Sequence, residues 1–314
     1  MSTKEKQKIK FIGERSFENT PTISSKTQLD NTYSLLKIYN DDIFVTSWEG
    51  DNRGVIFKLD MKHNKFKSLI NLKEIVDKNI SLADYQFFKQ NGDDVLYFVN
   101  ILDSKNIFII SKNKIIEKYS TNHAIQRINF RKEGVFTTTW DSTINPQYFK
   151  SNLQDRITKP IPFNYSNQLS YAAILLDGIV SSDENYITIT SYAQNVVLIF
   201  DSNFTFIRSM NLNIVNPEFK FNEISGRGPV INPNNIYPNI HADLYKNHLY
   251  VLTNNTGLLE EGDYYIDIYD LGTDKYVKSY KFKFLTGETP KEIKILENKI
   301  YLLTNKTLYL YEKN

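Results

Sequence analysis

The sequence predicts an all-β chain that folds as a six-bladed β-propeller with four-stranded antiparallel blades. Three observations predict this fold. The 314 residues include 21 Tyr and 20 Phe, and these residue types suit pleated, packed sheets. One strand-turn-strand pattern recurs six times along the chain, and its turns are rich in Asn, Asp and Gly. Repeats of about 40 to 50 residues made of short strands are typical of propeller blades.

Each copy of the repeat contains a second strand of strong β-forming residues. These strands are IFVTSW, VLYFVN, VFTTTW, YITITS, LYVLTN and IYLLTN, and they begin at Ile43, Val95, Val135, Tyr186, Leu249 and Ile300. A half-apolar first strand and a short turn precede each of them, so every copy opens with a hairpin. The predicted blades cover approximately residues 32–72, 83–121, 125–163, 171–212, 240–284 and 290–314 plus 8–17.

The last copy ends at Asn314, one strand short of a complete blade. The segment KIKFIGERSF, residues 8–17, precedes the first copy and has no other partner in the repeat. We therefore expect residues 8–17 to join the C-terminal blade as its missing strand, because this closes the ring and leaves no open sheet edge. The whole chain, residues 1–314, is expected to form one domain.

Composition excludes several classes of function. The formal net charge is +2, from 38 basic and 36 acidic residues, so the chain lacks the overall positive field of nucleic-acid binders. The absence of Cys excludes disulfides, thiolate catalysis and Cys-ligated zinc. No apolar run reaches the length of an export signal or a membrane span. These features predict a soluble, cytoplasmic monomer without a transmembrane segment; the alternative is an exported or periplasmic protein whose signal is missing from the sequence.

Connection lengths point to one face of the predicted propeller. The connections from second to third strands and from fourth to first strands emerge on the same face, which we call the elaborated face. These connections include long segments, above all the stretch 213–240, whereas the turns of the opposite face are uniformly short. Long loops on a rigid scaffold are where binding residues concentrate. The sequence therefore predicts the functional site on the elaborated face.

Both Trp residues occupy one column of the repeat. When the second strands are aligned by their first residue, Trp48 and Trp140 fall at the end that opens onto the elaborated face. One interpretation is that the two rings pack between blades, since large aromatic rings bury much area. The other is that they form aromatic platforms for a polar ligand such as a glycan.

The first strands are expected to line the central channel and to gather polar side chains near its axis. Five cationic or titratable residues are placed there by the repeat: Lys37, Lys89, Arg127, His241 and Lys294. Such a group suits an anionic ligand, for example a carboxylate or a phosphate. The alternative is that these cations pair with Asp243 and Glu292 across a solvated channel.

A catalytic or metal site is the second possibility that the first strands raise. His123 and His241 begin first strands and are expected to face each other near the channel mouth, with Asp243 two residues beyond His241. Imidazole beside carboxylate suits a general base or a divalent ion. No Ser-nucleophile elbow, HExxH motif or Cys-His pair accompanies them.

Residues 225–257, SGRGPVINPNNIYPNIHADLYKNHLYVLTNNTG, resemble one known group of proteins. The segment is similar to the GxGPxxF loop, first strand and "lyVlD" second strand of bacterial NHL-like and TolB-like six-bladed propellers. Val230 and Ile231 stand where that group commonly has Glu-Phe, and Asn254 stands near its usual Asp. The resemblance implies a fold that hosts lectin-like, scaffold, hydrolase and lyase activities. Calcium-dependent lactonases of this fold would imply a metal site formed here by Asn129, Asn239, Asp243 and Glu292.

Two hypotheses follow. The leading one is a non-enzymatic interaction module that binds a protein, a peptide or a small polar or anionic ligand through Trp48, Trp140, Arg127, His241, Arg227, Lys37, Lys89 and Lys294. The rival is a metal-dependent hydrolase or lyase, using calcium or a similar cation, that acts at the channel mouth through His123, His241, Asp243 and Glu292.

Overall fold

The computed structural model describes residues 10–47, 52–76, 80–90, 92–131, 134–163, 171–224, 228–254, 263–285 and 287–313. In these ranges the chain forms six four-stranded antiparallel sheets and one two-stranded hairpin. The six sheets are arranged as the blades of a six-bladed β-propeller, so the predicted fold class is confirmed.

The strands follow the chain in blade order. The first strand of the chain is β1 (Thr22–Gln28), which belongs to the last blade. Blade 1 contains β2 (Tyr33–Tyr39), β3 (Asp42–Ser47), β4 (Val55–Asp60) and β5 (Lys65–Asn71). Blade 2 contains β6 (Leu82–Gln90), β7 (Asp93–Asn100), β8 (Asn106–Ser111) and β9 (Lys114–Ser120). Blade 3 contains β10 (Arg127–Arg131), β11 (Gly134–Trp140), β12 (Pro146–Asn152) and β13 (Ile157–Pro160).

The second half of the chain forms three more four-stranded blades, with one inserted hairpin. Blade 4 contains β14 (Gly178–Ser182), β15 (Tyr186–Ser191), β16 (Val196–Asp201) and β17 (Phe206–Asn211). The hairpin β18 (Phe221–Ile224) and β19 (Gly228–Ile231) follows. Blade 5 contains β20 (Asn239–Tyr245), β21 (His248–Asn254), β22 (Tyr264–Asp270) and β23 (Lys275–Phe282). Blade 6 contains β24 (Pro290–Leu296), β25 (Lys299–Thr304), β26 (Thr307–Glu312) and β1. Two short helices, α1 (Leu72–Val76) and α2 (Ala172–Leu175), lie between blades 1 and 2 and between blades 3 and 4.

The innermost strands close a ring. Each of β2, β6, β10, β14 and β20 contacts the first strand of the following blade, and β24 contacts β2. The hydrophobic core is divided accordingly, with one cluster of described residues at each boundary between neighbouring blades. The third strand β16 (VVLIFD) is buried along nearly its whole length, because its two faces pack against the two neighbouring blades. A strand that is buried on both faces appears in the sequence as a continuous apolar run.

Turns of the face opposite the elaborated one are built from residues that tolerate a left-handed backbone. Asn40 and Asp41, between β2 and β3, have φ of 49° and 63°, and Lys246 and Asn247, between β20 and β21, have φ of 49° and 63°. Positive φ at both central positions is the type I′ geometry of two-residue hairpin turns. The short Asn-rich and Asp-rich turns therefore set the hairpin register.

The ring is closed by an N-terminal strand, but residues 8–17 are not that strand. β1 pairs with β26 in blade 6, from Thr22 opposite Glu312 to Gln28 opposite Thr307. The described part of the predicted segment follows the flank of blade 5 instead, with a bridge from Phe17 to Ser279. The outermost strand of a blade is exposed along much of its length, so the polar sequence TISSKTQ suffices there. The premise that residues 8–17 have no other partner was wrong, because the described part of this segment pairs with Asn213 and Ser279.

Candidate functional site

Most of the exposed large hydrophobic residues in or next to the connections between strands lie on the elaborated face. Leu102 is 66% exposed, Trp140 44% and Tyr237 43%. The full set of large, exposed hydrophobic residues in or next to connections of this face is Ile101, Leu102, Trp140, Val215, Val230, Ile231, Tyr237 and Leu285. Among the described residues in or next to connections of the opposite face, the comparable side chains are Met61 and Ile157. We call the eight residues the apolar rim.

Trp140 is held in place by the structure around it. It ends β11, where it pairs with Pro146. The connection that follows is fixed by Asp141, whose Oδ1 accepts the N–H groups of Thr143 at 2.9 Å and Asn145 at 3.0 Å. The Ala173 N–H of α2 donates to the Ile144 carbonyl at 2.9 Å, which joins this connection to the helix. The Trp140 ring therefore projects from an ordered base, and its exposure shows that it is not a buried ring of the blade core.

The β18–β19 hairpin is attached to the same sector by aromatic contacts. Tyr171, directly before α2, lies 4.8 Å from Phe221 of β18, measured between ring centroids. Phe221 lies 5.4 Å from Phe219, and Phe219 lies 5.6 Å from Tyr237. The connection between blades 3 and 4 and the insertion between blades 4 and 5 thus form a continuous aromatic surface.

The central channel contains a cavity of about 340 Å³. Seven of the residues that the sequence placed there do line it, namely Lys37, Arg127, Asn129, His241, Asp243, Glu292 and Lys294. Blade 2 contributes Ala83, Asp84 and Gln86. The period-two pattern of the first strands therefore located the channel correctly in most blades.

The channel cations form ion pairs with carboxylates of adjacent blades. Lys37 Nζ lies 2.7 Å from Asp84, and Lys294 Nζ lies 2.5 Å from Asp243. Arg127 is paired with Asp177, the residue directly before β14, with 2.6 Å between Nη2 and Oδ2. The positive charges that suggested an anion site are thus neutralised within the protein.

Two carboxylates bind backbone amides of the next blade. Both oxygens of Glu292 accept N–H groups from β2, those of Leu35 at 2.8 Å and Leu36 at 2.7 Å. A bulge in β2 between Ser34 and Lys37 frees these amides from the sheet ladder. Burial raises the pKa of Glu292, and the two amide donors oppose this shift. Glu292 therefore fastens blade 6 to blade 1.

Asp243 and His241 make the equivalent links from blade 5 to blade 6. The second oxygen of Asp243 accepts the Ile295 N–H at 2.6 Å, and the Ile293 N–H points to His241 Nδ1 at 3.4 Å. Burial, followed by the charges of Lys294 and Lys37, lowers the pKa of His241 to about 3. A neutral ring that accepts at Nδ1 carries its proton on Nε2.

His123 lies apart from His241 and outside the residues that line the cavity. Its Nε2 is 2.9 Å from Thr137 Oγ1, and its ring stacks on Phe149 at 4.1 Å between centroids. Burial lowers the pKa of His123 to about 4. The expectation that His123 begins a first strand and faces His241 across the mouth is wrong, because His123 lies in the connection before β10 and packs onto Thr137 and Phe149 of blade 3.

Asn239 and Lys89 are also placed away from the cavity. Asn239 is fully buried, and its Nδ2 donates to the carbonyls of Ser191 at 2.6 Å and Gln194 at 3.0 Å. Lys89 lies at the far end of β6 and pairs with Asp94 at 3.0 Å. The expected channel position of Lys89 is wrong, because the β6–β7 hairpin extends further beyond Val95 than the hairpin of blade 1 does beyond Ile43.

Two of the predicted ligand-binding residues, Trp48 and Arg227, lie outside the described residues. The predicted metal site is not supported by a cluster of ligands: within the described ranges, no group of three or more His, Asp and Glu side chains is arranged to hold an ion.

Sequence reasoning missed Asp84 and Asp177. Their acidic character at the start of a first strand, opposite a basic residue of the neighbouring blade, was the available signal.

Comparisons with known proteins support the fold. No protein-family model and no curated protein sequence matches the chain. A solved member of the DUF4221 family from Bacteroides vulgatus superposes with a TM-score of 0.58 over 98% of both chains, at 11% identity. Raptor from Chaetomium thermophilum superposes with a TM-score of 0.56 at 10% identity, over 96% of this chain and 30% of Raptor. At such identities the likeness concerns the fold alone.

No helix within the described ranges has the length and apolar character needed to cross a membrane.

Proposed function

We propose that the chain, as one β-propeller domain, is a non-enzymatic binding module whose elaborated face docks a partner protein or peptide. The single observation that supports this proposal is the apolar rim: among the described residues in or next to connections, eight large hydrophobic side chains are exposed on this face, against Met61 and Ile157 on the other. Exposed apolar groups collected on one face of a protein are typical of interaction surfaces. A β-propeller is compatible with such a role.

The sector around Trp140 is the proposed centre of the docking surface. Trp140 is rigidly supported, and Tyr237 lies at the edge of the aromatic surface formed by Phe219, Phe221 and Tyr171. Trp and Tyr are enriched among the residues that dominate binding energy, since they bury a large area and lose little conformational entropy. Arg127 and His241, which line the central cavity, are the polar residues proposed to contact the same partner.

The chemistry of the channel favours a macromolecular partner over a small anion. Lys37, Arg127 and Lys294 each have a carboxylate partner, so an anion would have to compete with Asp84, Asp177 or Asp243. Breaking such partly buried pairs costs free energy that a simple anion does not restore. A partner that binds the apolar rim does not have to displace a carboxylate from an ion pair.

The hydrolase or lyase hypothesis receives less support from the same residues. Both oxygens of Glu292 accept backbone N–H groups, and Asp243 is occupied by Lys294 and the Ile295 amide. Metal coordination or proton transfer would have to displace these bonds between blades. The likeness of residues 225–257 to NHL-like and TolB-like propellers fits either hypothesis, and we propose it as the relationship to pursue.

Site-specific photo-crosslinking tests the binding proposal. A benzophenone amino acid replaces Leu102 or Tyr237 on the elaborated face, and in a matched control it replaces Met61 on the opposite face. In cells that produce the protein, we expect a discrete adduct from Leu102 and Tyr237 that Trp140→Ala removes without lowering the melting temperature. Adducts of equal yield from Met61, or none from either rim position, would contradict the proposal.

A further inference from the structure

Residues 10–18, which we call the strap, run along the flank of blade 5. The Val215 N–H donates to the Lys10 carbonyl at 2.8 Å, and the Ile12 N–H donates to the Asn213 carbonyl at 2.7 Å. Further along, the Ser279 N–H of β23 donates to the Ser16 carbonyl at 2.9 Å. The strap therefore joins the edge of blade 5 to the beginning of the insertion that follows blade 4.

Arg15 is the deepest side chain of the strap. Its Nε lies 2.9 Å from Asp267 Oδ1 and its Nη2 lies 3.0 Å from Oδ2, which is a two-pronged ion pair. The guanidinium carbon lies 4.3 Å from the ring centroid of Phe11 and 4.0 Å from that of Tyr265. The side chains of Arg15 and Asp267 are 7% and 0% exposed. Planar geometry, paired donors and contact with aromatic faces are the features by which proteins select guanidinium over ammonium.

Asp267 is prepared for this cation by the blade itself. It lies on β22, the third strand of blade 5, where most side chains are apolar and buried. The hydroxyls of Ser279 and Thr253 donate to its two oxygens, at 2.5 Å and 3.2 Å. A carboxylate buried to this extent is costly unless a cation pairs with it. The blade therefore contains a recognition site that one arginine side chain completes.

The rest of the strap is held more weakly. Ile12 and Phe17 are 53% and 56% exposed, and the pair of Glu18 with Lys278 lies at the surface. Segments with few buried apolar contacts open with a small free energy. Arg15 is thus the most buried anchor of a segment whose other side-chain contacts are exposed or, for Phe11 against Tyr276, partly buried.

We propose that Asp267 and the Tyr265 ring form an arginine-recognition site on the flank of blade 5, which Arg15 fills in cis and an arginine-bearing peptide segment of a partner fills when the strap detaches. Because the strap also binds Asn213 and Val215, its release loosens the root of the segment that carries Val230, Ile231 and Tyr237. The consequence for docking rests on the proposed function, but the arginine site does not.

Amide hydrogen exchange of the full chain tests the anchor, because Val215 and Ser279 donate their amide protons to the strap. In Arg15→Ala we expect both amides to exchange faster by about tenfold or more. Leu212, whose amide donates to Asn195 rather than to the strap, is the internal reference and keeps its exchange rate. Arg208→Ala is the matched control, since Arg208 makes a similar two-pronged pair with Asp274 that is much more exposed. An equal increase at Leu212, or unchanged exchange at Val215 and Ser279, would overturn the proposal.

Chemical rescue tests the recognition chemistry. Ethylguanidinium, at concentrations far below denaturing ones, should restore slow exchange at Ser279 in Arg15→Ala but not in Arg15→Ala with Asp267→Asn. A synthetic peptide of residues 10–20 should bind Arg15→Ala and not the wild-type chain, and the same peptide with Ala in place of Arg15 should not bind. If Arg15→Ala does not fold, Arg15→Lys provides the same measurements, because it keeps the charge and loses the two-pronged geometry. Failure of rescue by both probes would refute the arginine site, whatever the outcome of the photo-crosslinking.

Discussion

Arg127 and Asp177 join blade 3 to blade 4 at the mouth of the central channel through two parallel hydrogen bonds, of 2.9 Å from Nε to Oδ1 and 2.6 Å from Nη2 to Oδ2. The guanidinium carbon also lies 5.5 Å from the ring centroid of Tyr192. The charge that the sequence offered as a ligand contact therefore has a structural partner on the next blade. Lys37 and Lys294 are likewise predicted ligand contacts that form ion pairs with a neighbouring blade.

A double-mutant cycle on Arg127 and Asp177 should reveal this link. Arg127→Ala and Asp177→Ala are each expected to lower the free energy of unfolding by about 1–2 kcal/mol, between the values for exposed and buried pairs. The double variant should cost less than the sum of the two single changes, because each single change leaves one charge without its partner. Urea denaturation of the four proteins measures the coupling. Strictly additive effects would show that the pair contributes nothing.

Asp243→Asn should destabilise the junction of blades 5 and 6. Asp243 is 1% exposed and accepts bonds from Lys294 and from the Ile295 amide, so the change leaves the ammonium of Lys294 facing a neutral amide. We expect a loss of about 2 kcal/mol or more. Asp42→Asn, which breaks the exposed pair with Lys58, is the matched control and should cost under about 1 kcal/mol. Similar losses in the two variants, measured by urea denaturation, would contradict this account.

His241 should contribute to acid sensitivity. Its ordinary pKa of 6.5 falls to about 3 in the folded protein, so the unfolded chain takes up a proton that the folded chain does not accept between these values. The free energy of unfolding therefore falls as the pH falls from 6.5 towards 3, with a slope approaching about 1.4 kcal/mol per pH unit for this one group.

His241→Gln should make that pH dependence shallower, since the amide does not titrate and its oxygen can still accept the Ile293 N–H. Part of the slope should remain, because the pKa of His123 is also lowered, to about 4. Thermal unfolding at a series of pH values measures the slope, with His248→Gln, at the start of β21 beside a turn of the opposite face, as control. An unchanged slope in His241→Gln would mean that His241 is not the titrating group.

Gly178→Ala should be severely destabilising. A Cβ at this position would lie 2.0 Å from the Thr190 carbonyl oxygen and 2.9 Å from Ser191 Cα, both of which are backbone atoms that cannot move aside independently. We expect a loss of about 2–3 kcal/mol or more. In Gly272→Ala the nearest atom is the flexible Asp270 side chain at 3.1 Å, so the same substitution should have little effect. Equal melting temperatures for the two variants would be inconsistent with such close backbone packing at β14.

The repeat could be predicted from the sequence because the strands and turns of a blade depend on residues that are close together in the chain. Alternation in the first strands, continuous apolar runs in the third strands and Asn-rich or Asp-rich turns each reflect the burial and backbone geometry of one hairpin. The same pattern placed Lys37, Arg127, His241, Asp243, Glu292 and Lys294 at the channel. It failed at Lys89 because hairpin arms differ in length between blades, and this difference depends on pairing rather than on spacing along the chain.

The sequence by itself determined the all-β class, the six-fold repeat and the loop-rich face, since these depend on residues close together in the chain. Only the tertiary structure decided that β1 rather than residues 8–17 closes the ring, that Asp84 and Asp177 pair with the channel cations, and that Arg15 enters blade 5. Each of these contacts joins residues far apart in sequence or on different blades. Their free energy depends on burial and on the partner that the fold brings within reach, neither of which any local pattern records.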